Sequence, residues 1–354
     1  MVTRSRKENL RNRLPQQLTR IIAFIAIGVG LLGNSVIVSG EERFEFREPH
    51  LGTIVTLTLY APNETAANES SRAAFARIEE LNQILSDYNP DSEVMKLCRT
   101  AGTGQAVPVS QDLFDVLARS VEISVATDGA FDVSISPVVK LWRSARRIRK
   151  LPSEKELADA KALVGYQNII LNEKQRTVEL RKKGMLLDFG GIAKGYIAEQ
   201  TRALLATRGL RRTLTAVAGD IAAGDAPPGQ DGWRIGVAPL EKADGEPSRY
   251  LRLVNNSIST SGDAFQFVEI AGVRYSHIVD PKTALGLTRR SSVTIVAPQG
   301  SSADGLATAV SVLGPERGLK LIEKMKGMAA LIVVADEAGI TVRESSEFAK
   351  FVIP

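Results

Sequence analysis

The side chain best suited to proton transfer in this sequence is His277, one of two histidines among 354 residues. An unperturbed histidine gains and loses its proton near neutral pH. His277 ends an alternating apolar stretch and lies three residues before Asp280, which begins an Asp-Pro turn. This position suits a general base, and the alternative is a structural histidine on a strand. The other histidine, His50, lies next to the first predicted strand and is the weaker candidate.

Asp304 and Thr308 form a second pair of interest, because residues four apart on a predicted helix share a face. Carboxylate and hydroxyl oxygens suit a hard cation such as Mg²⁺. The alternative is an acidic residue that only interacts with the helix dipole. With one cysteine, Cys98, and two histidines, the sequence excludes a thiolate or nitrogen-rich metal site.

The segment 187–196, LDFGGIAKGY, joins a predicted strand to a predicted helix through two glycines. Glycines let the backbone approach a ligand closely, and a helix start offers N–H groups to phosphate. Lys194 adds a positive charge at the same end, although the spacing is not that of a Walker A loop. The alternative is a tight turn in which Asp188 acts as a cap.

Two further segments combine glycine with polar side chains. Residues 127–132, TDGAFD, could hold a ring and hydrogen-bond a nucleotide, or could only end a helix. Residues 259–263, STSGD, precede a hairpin whose far strand carries Tyr275 and His277, so they form a candidate pocket wall.

The elements that must position these residues follow from apolar periodicity and capping signals. Helices are predicted over 64–85, over 109–126 with Ser110 as the cap, from the capping box at 153–156 to Gly165, over 194–207 and over 302–325. Strands are predicted over 52–60, in a hairpin over 168–180, and over 185–189, 213–218, 233–238, 265–270, 292–297 and 329–335. Because strands and helices do not alternate strictly, the predicted class is α+β, with mixed sheets packed against helices in one body.

The net charge of +5 resides in the first 20 residues, which contain six basic residues and one acidic residue. The chain has 45 Lys and Arg and 40 Asp and Glu, so 39 of each sign remain elsewhere. A neutral body offers no electrostatic footprint for nucleic acid, and we expect no nucleic-acid partner.

The apolar run 21–33 after this basic segment predicts that residues 1–40 are a secretory signal peptide or an uncleaved inner-membrane anchor. The body, residues 41–354, is then exported to the periplasm or the outer face of the inner membrane. No cysteine directly follows the run, so a lipid anchor at that point is excluded. The GVGLLG sequence inside the run lacks the βαβ context of a dinucleotide site.

Taken together, these segments resemble the ApbE family of FAD:protein FMN transferases, in which similar motifs occur in the same order. The chain has LGT at 51–53, TDGAFD at 127–132, LDFGGIAKGY at 187–196, AGD at 218–220, TSGD at 260–263, SHIVDPKT at 276–283 and ADGLAT at 303–308. Six or more co-ordered motifs over the whole body are more specific than any one of them. Leu51 and Ala218 stand where the family has methionine and glycine.

The resemblance implies a T-fold-related architecture and an enzyme that binds FAD with Mg²⁺, releases AMP and attaches FMN to a threonine of a partner protein. That acceptor is expected to be a redox-pump or electron-transfer subunit. Carried over by motif, the expected FAD contacts are Leu51, Tyr88, Ala130, Phe131, Asp132, Asp188, Lys194 and Ile278. The expected metal ligands are a backbone oxygen of Gly191 and the side chains of Asp304 and Thr308. His277 and Asp280 are the expected catalytic residues, and either His277 or a nearby aspartate could be the base. The alternatives are an FAD pyrophosphatase that releases FMN and AMP, and an FAD-binding protein without catalysis.

Overall fold

The computed structural model describes residues 40–240, 245–262, 266–337 and 339–353. The predicted signal peptide or anchor therefore lies outside the described residues except for Gly40, and so does Asp263 of the TSGD motif. Within the described ranges, no helix combines the length and hydropathy needed to cross a membrane.

Eight α-helices and seventeen strands are described. The helices are α1 (Glu64–Leu85), α2 (Glu93–Cys98), α3 (Gln111–Ala126), α4 (Ser136–Ile148), α5 (Glu154–Lys161), α6 (Ala193–Thr207), α7 (Gly300–Leu313) and α8 (Pro315–Ile322). The strands are β1 (Glu42–His50), β2 (Thr53–Ala61), β3 (Val107–Pro108), β4 (Ile169–Asn172), β5 (Thr177–Leu180), β6 (Thr213–Val217), β7 (Asp220–Ala223), β8 (Trp233–Val237), β9 (Arg249–Leu253), β10 (Ser257–Gly262), β11 (Phe267–Ile270), β12 (Val273–Ser276), β13 (Val279–Asp280), β14 (Leu285–Gly286), β15 (Arg290–Ala297), β16 (Ala329–Asp336) and β17 (Gly339–Glu344).

An eight-stranded antiparallel sheet in the order β1-β2-β6-β7-β10-β15-β16-β17 organises the molecule. Smaller sheets are formed by β3-β5-β4 and by the pairs β8-β9, β11-β12 and β13-β14. Two-residue turns join β1 to β2 through Leu51-Gly52 and β6 to β7 through Ala218-Gly219. Leu51 and Ala218 both have positive φ, 55° and 54° respectively, as expected of such hairpin turns.

Three clusters of buried apolar side chains hold these elements together. The largest lies between the sheet and the helices α1, α3, α6 and α7. A second is formed around β8 and β9 with Phe348 near the C-terminus. The third joins α4 and α5 to the β11–β14 segment, and Trp142 is fixed in it because its Nε1 donates to the carbonyl of Ala284 over 2.9 Å. The third cluster therefore positions α4 next to the strand that leads to His277.

The predicted α+β class and single body are confirmed, and many elements match the sequence prediction. α1 has the predicted bounds, Ser110 caps α3 through the N–H of Leu113, and the capping box at Ser153 and Glu156 is present. The predicted hairpin over 168–180 is formed by β4 and β5.

Four predictions about elements were wrong or incomplete. Residues 185–189 form no strand, because the N–H groups of Leu187 and Asp188 bond to Cys98 Sγ and the Val133 carbonyl rather than to a ladder. The helix predicted over 302–325 is divided into α7 and α8 at Gly314, whose φ is 81°. The helix predicted to continue to Gly165 ends at Lys161. The elements that were not predicted are β1, α2, β3, α4, β7, β9, β10, β13, β14 and β17.

Candidate active site

The centre of the candidate site is a contact between the backbones of α6 and α7. A β-carbon at Gly195 would lie 2.1 Å from the carbonyl oxygen of Gly300, and one at Gly300 would lie 2.1 Å from the carbonyl oxygen of Gly195. No side chain fits at either position, so both residues must be glycine for the helices to approach this closely. The contact brings Asp304 of α7 to the start of α6, where its Oδ2 accepts the N–H of Gly195 over 3.1 Å.

Lys194 lies between two buried carboxylates at this contact. Its Nζ is 2.6 Å from Asp220 Oδ2 and 3.8 Å from Asp304 Oδ2. Asp220 begins β7 and also accepts a hydrogen bond from Ser259 Oγ of β10 over 2.5 Å. The two aspartates are 3% and 2% exposed, so one ammonium group faces two carboxylates in a desolvated setting.

The pKa of Asp304 is raised to about 7, by burial first and by the charge of Asp220 second, against the lowering effects of Lys194 and of backbone N–H groups. The same two carboxylates raise the pKa of Lys194 against the opposing effect of burial. With both aspartates ionised, the cluster has an excess of one negative charge. A site with this charge would bind a cation, and a ligand set made only of oxygen atoms suits Mg²⁺.

Gly191 and Thr308, the other two predicted metal ligands, are in contact with each other. A β-carbon at Gly191 would lie 2.8 Å from Thr308 Oγ1, and Thr308 Oγ1 is 3.5 Å from Ser261 Oγ of β10. Asp304 and Thr308 lie one turn apart on α7, so the three predicted ligands are adjacent. Across the described ranges, no three His, Cys, Asp or Glu side chains form a metal cluster. The fit to Mg²⁺ therefore depends on a single carboxylate, Asp304, with hydroxyl and backbone oxygens.

Asp188 joins the glycine turn to α4. Its Oδ1 accepts the N–H of Gly190 over 2.7 Å, and its Oδ2 accepts Arg143 Nη2 over 2.8 Å. Arg143 also donates to Asp87 Oδ2 over 2.6 Å, and its guanidinium lies 4.3 Å from the ring centre of Tyr88. Burial and the charge of Asp87 raise the pKa of Asp188, and Arg143 opposes them. These contacts match the alternative interpretation of Asp188 as a turn-stabilising carboxylate.

Tyr88 is 77% exposed although it lies beside this buried network. An exposed aromatic ring held by a guanidinium at one face can accept a second planar group. This position suits the predicted contact with a ring of the ligand.

Hydrogen bonds to Asp132 fix the conformation of the TDGAFD segment. Asp132 accepts hydrogen bonds from the N–H and Oγ of Ser134 and from the N–H of Tyr166, so both carboxylate oxygens are used. Burial raises the pKa of Asp132. Ala130 and Phe131 are buried, and the Phe131 ring lies 3.4 Å from a β-carbon position at Gly191. The segment thus forms the wall behind the glycine turn.

His277 is partly buried, and its backbone N–H and Nδ1 both contact the Gln266 carbonyl oxygen, at 2.9 and 3.1 Å. Since a carbonyl only accepts, Nδ1 carries the proton and Nε2 keeps its lone pair. The pKa of His277 is lowered to about 4, chiefly by burial and then by the charges of Arg146 and Lys194, while the hydrogen bond to the Gln266 carbonyl opposes this shift. The imidazole is therefore neutral at pH 7. The influence of Lys194 shows that His277 lies within electrostatic range of the carboxylate cluster.

The remaining predicted residues have local roles. Asp280 Oδ1 accepts the N–H of Lys282 over 2.8 Å, which stabilises the turn after β13. Ile278 is buried, and its N–H bonds to Ser276 Oγ. Leu51 is the first residue of the β1–β2 turn and packs against the large cluster. The other histidine, His50, stacks on Phe75 of α1 with ring centres 5.5 Å apart. Its position is structural.

The structure brings Gly191, Lys194, Asp304 and Thr308 into one cluster, and it places Tyr88 and Asp188 around Arg143. Sequence reasoning placed Ser259 and Ser261 in a candidate pocket wall but did not assign a site role to Arg143, Asp87 or Asp220. Asp220 lies in the AGD motif, so a signal was present for it. Arg143 and Asp87 had none, because the ion pair depends on α4, which was not predicted.

The fold and the site together define an α+β protein with a buried acidic cluster, a phosphate-compatible glycine turn and a neutral histidine in range. Comparison with known proteins gives the family. The ApbE family model matches residues 51–332, and the chain belongs to the ApbE family.

Named relatives and solved structures are similar to this chain over most of its length. A Treponema pallidum protein named FAD:protein FMN transferase is 30% identical over 353 residues, covering 94% of this chain and 96% of its own length. A protein of the same name from Haemophilus influenzae is 29% identical, covering 81% and 84% respectively. The structure of the flavin transferase ApbE from Vibrio cholerae superposes with a TM-score of 0.76 at 26% identity, covering 88% of this chain and 99% of its own.

Proposed function

We propose that this chain is an FAD:protein FMN transferase that uses Mg²⁺ and attaches FMN through a phosphoester to a threonine of a partner protein. The observation that carries the proposal is the Asp220–Lys194–Asp304 cluster, with its excess negative charge, adjacent to the glycine turn and within electrostatic range of a neutral His277. The names of the relatives support the same reaction.

The ring and the pyrophosphate of FAD would bind to residues on two sides of the site. Tyr88 offers an exposed ring for stacking, and Phe131 packs behind the glycine turn. The glycine turn would let the pyrophosphate of FAD approach the backbone closely, and Lys194 would offer it a positive charge. Asp304, Thr308 and the backbone of Gly191 would hold Mg²⁺, which when bound would stabilise negative charge on the pyrophosphate.

The proposed reaction balances without an oxidant or reductant. The threonine hydroxyl oxygen forms a bond to the phosphorus on the FMN side, the bond from that phosphorus to the bridging oxygen breaks, and AMP leaves with the bridging oxygen. The hydroxyl proton passes to Nε2 of His277, the nitrogen with the free lone pair. Asp280 is less suited to this role because its carboxylate already accepts the N–H of Lys282.

We also propose that residues 1–40 direct the body to the periplasm or the outer face of the inner membrane. The six basic residues and the apolar run that follows support this location. Cell fractionation of the tagged full chain tests it, and recovery from the cytosol alone would contradict it.

The decisive experiment is mass spectrometry of a candidate electron-transfer subunit expressed with and without this chain. A shift matching FMN on a threonine, together with AMP release by purified protein supplied with FAD and Mg²⁺, is the expected result. Asp304→Asn should abolish both, whereas Asp225→Asn, which alters an aspartate paired with Arg211, should abolish neither. Free FMN and AMP without acceptor modification would indicate a pyrophosphatase, and unchanged FAD would indicate a binding protein.

A further inference from the structure

Two arginines lie one turn apart on α4, and only one of them has an anionic partner. Arg143 forms ion pairs with Asp87 and Asp188. Arg146 follows on the same face, is partly buried, and forms no ion pair or hydrogen bond with any residue in the described ranges. A guanidinium group in such a position loses hydration without gaining a counter-charge.

The surroundings of Arg146 place it at the ligand site. Arg143, one turn earlier on α4, lies over the Tyr88 ring, and α4 packs against the strands that lead to His277. Arg146 also interacts electrostatically with Tyr88 and with His277. Arg146 therefore lies near both the exposed ring that suits the ligand and the histidine that suits the base.

Two other cations near this position are already paired with carboxylates. Arg143 faces Asp87 and Asp188, and Lys194 faces Asp220 and Asp304. Arg146 has no such partner in the described ranges, so its charge is available to an incoming anion. Its planar fork of N–H donors matches two oxygens of one phosphate group, which a lysine ammonium does not.

We propose that Arg146 binds a phosphate oxygen of the dinucleotide substrate and thereby selects flavin that carries a pyrophosphate over flavin without one. The inference rests on the proposed function, because FAD is the pyrophosphate-bearing substrate assumed there. The anion belongs beside His277, since a base that accepts the threonine proton must lie close to the phosphorus under attack.

Binding measurements on the folded, full-length protein test this role, and they do not depend on transfer activity. Wild type, Arg146→Gln and Arg146→Lys are titrated with FAD and with riboflavin, which has no phosphate, and flavin fluorescence gives each Kd. Arg146→Gln is expected to weaken FAD binding on the order of ten- to a hundredfold, which is the range of a charge-assisted hydrogen bond. Riboflavin binding should stay unchanged, and Arg146→Lys should recover part of the FAD affinity.

The matched control is Arg147→Gln, which removes the same charge from the next, exposed position of α4. It should leave the Kd for FAD unchanged and so exclude a general effect of net charge. Equal losses for FAD and riboflavin with Arg146→Gln would overturn the proposal, because they would place the side chain against the ring. Unchanged FAD binding would overturn it as well. If wild type binds FAD but modifies no acceptor, the proposed function fails while this binding comparison still stands.

Discussion

The protonation state of His277 follows from one hydrogen bond and from burial. Nδ1 donates to the Gln266 carbonyl, which leaves Nε2 as an acceptor, and a pKa lowered to about 4 keeps the ring neutral. A general base must be unprotonated before it can accept a proton. At neutral pH the His277 side chain is unprotonated in nearly all molecules and can therefore act as a base. The low pKa also makes the ring a weak base, so it must act on a hydroxyl whose proton is made more acidic by its surroundings.

Replacing His277 tests this role directly. His277→Ala should lower the rate of FMN transfer by roughly 10²–10⁴-fold, the usual contribution of a general base. The affinity for FAD should change little. His50→Ala is the matched control, since His50 is the second histidine and stacks on Phe75 of α1. Single-turnover transfer measured for both variants gives the comparison, and an equal loss in the two would contradict a catalytic role.

The pH dependence of the metal requirement should follow Asp304. Its carboxyl has a pKa raised to about 7, so below pH 7 the protonated form dominates and a proton competes with the cation. The apparent Kd for Mg²⁺ should rise about tenfold for each pH unit below 7 and level off above it. His277 stays neutral down to about pH 4, so at saturating Mg²⁺ the rate should remain flat over that range. Mg²⁺ titrations at several pH values between about 5 and 8 measure both effects.

Sequence reasoning identified site residues where a motif contained them and failed where folding alone brought them together. Asp304, Thr308, Lys194 and Gly191 were predicted from their motifs together with the family resemblance, and they are adjacent in the structure. Arg143 reaches Asp188 only because the third apolar cluster packs α4 beside the glycine turn. No local pattern encodes that contact, because 45 residues separate the two partners.

At the scale of elements, local signals predicted best where they agreed with packing. α1 has an amphipathic pattern, and its buried side chains face the sheet. α4 has an apolar face of Val138, Trp142 and Ala145 that is interrupted by basic residues, so its burial against β12–β14 was not evident. The Gly314-Pro315 pair was a breaker signal that the apolar periodicity across α7 and α8 concealed.

The contact between α6 and α7 predicts an unusual sensitivity at Gly195. Gly195→Ala would place a β-carbon against backbone, which cannot move as a side chain can, and should destabilise the fold by about 1–3 kcal/mol. Transfer should fall as well, because Asp304 would move away from Lys194. Gly305→Ala on α7 is the control, since its β-carbon meets only the tip of the Ile123 side chain. Urea unfolding and activity assays of both variants test this prediction. Equal losses of stability and activity in the two variants would contradict it.

At the scale of the whole molecule, the site joins two packing units. Lys194, Asp220 and Asp304 come from elements of the large cluster, whereas α4 and the strand leading to His277 belong to the third cluster. The Arg143–Asp188 ion pair connects these units at the site. A ligand that contacts both sides therefore adds contacts that the unliganded protein lacks.

Ligand binding should stabilise the whole fold for this reason. FAD with Mg²⁺ at roughly 100 times the Kd should add about 2.7 kcal/mol to the free energy of unfolding, because both bind the folded state only. Thermal unfolding should then shift upward by several degrees. Asp304→Asn should remove most of the gain that depends on Mg²⁺ and keep the gain that FAD gives alone. A shift caused by Mg²⁺ in that variant would contradict the assigned cation site.

The Gly195–Gly300 contact also bears on how this protein can change over generations. Because two backbones touch there, the distance from Lys194 to Asp304 does not depend on how neighbouring apolar side chains fill the core. Exchange of one aliphatic residue for another around α6 and α7 can therefore accumulate without altering the cluster. We therefore expect substitutions that change which ligand the site binds to fall in α4 and in the loop that carries Tyr88.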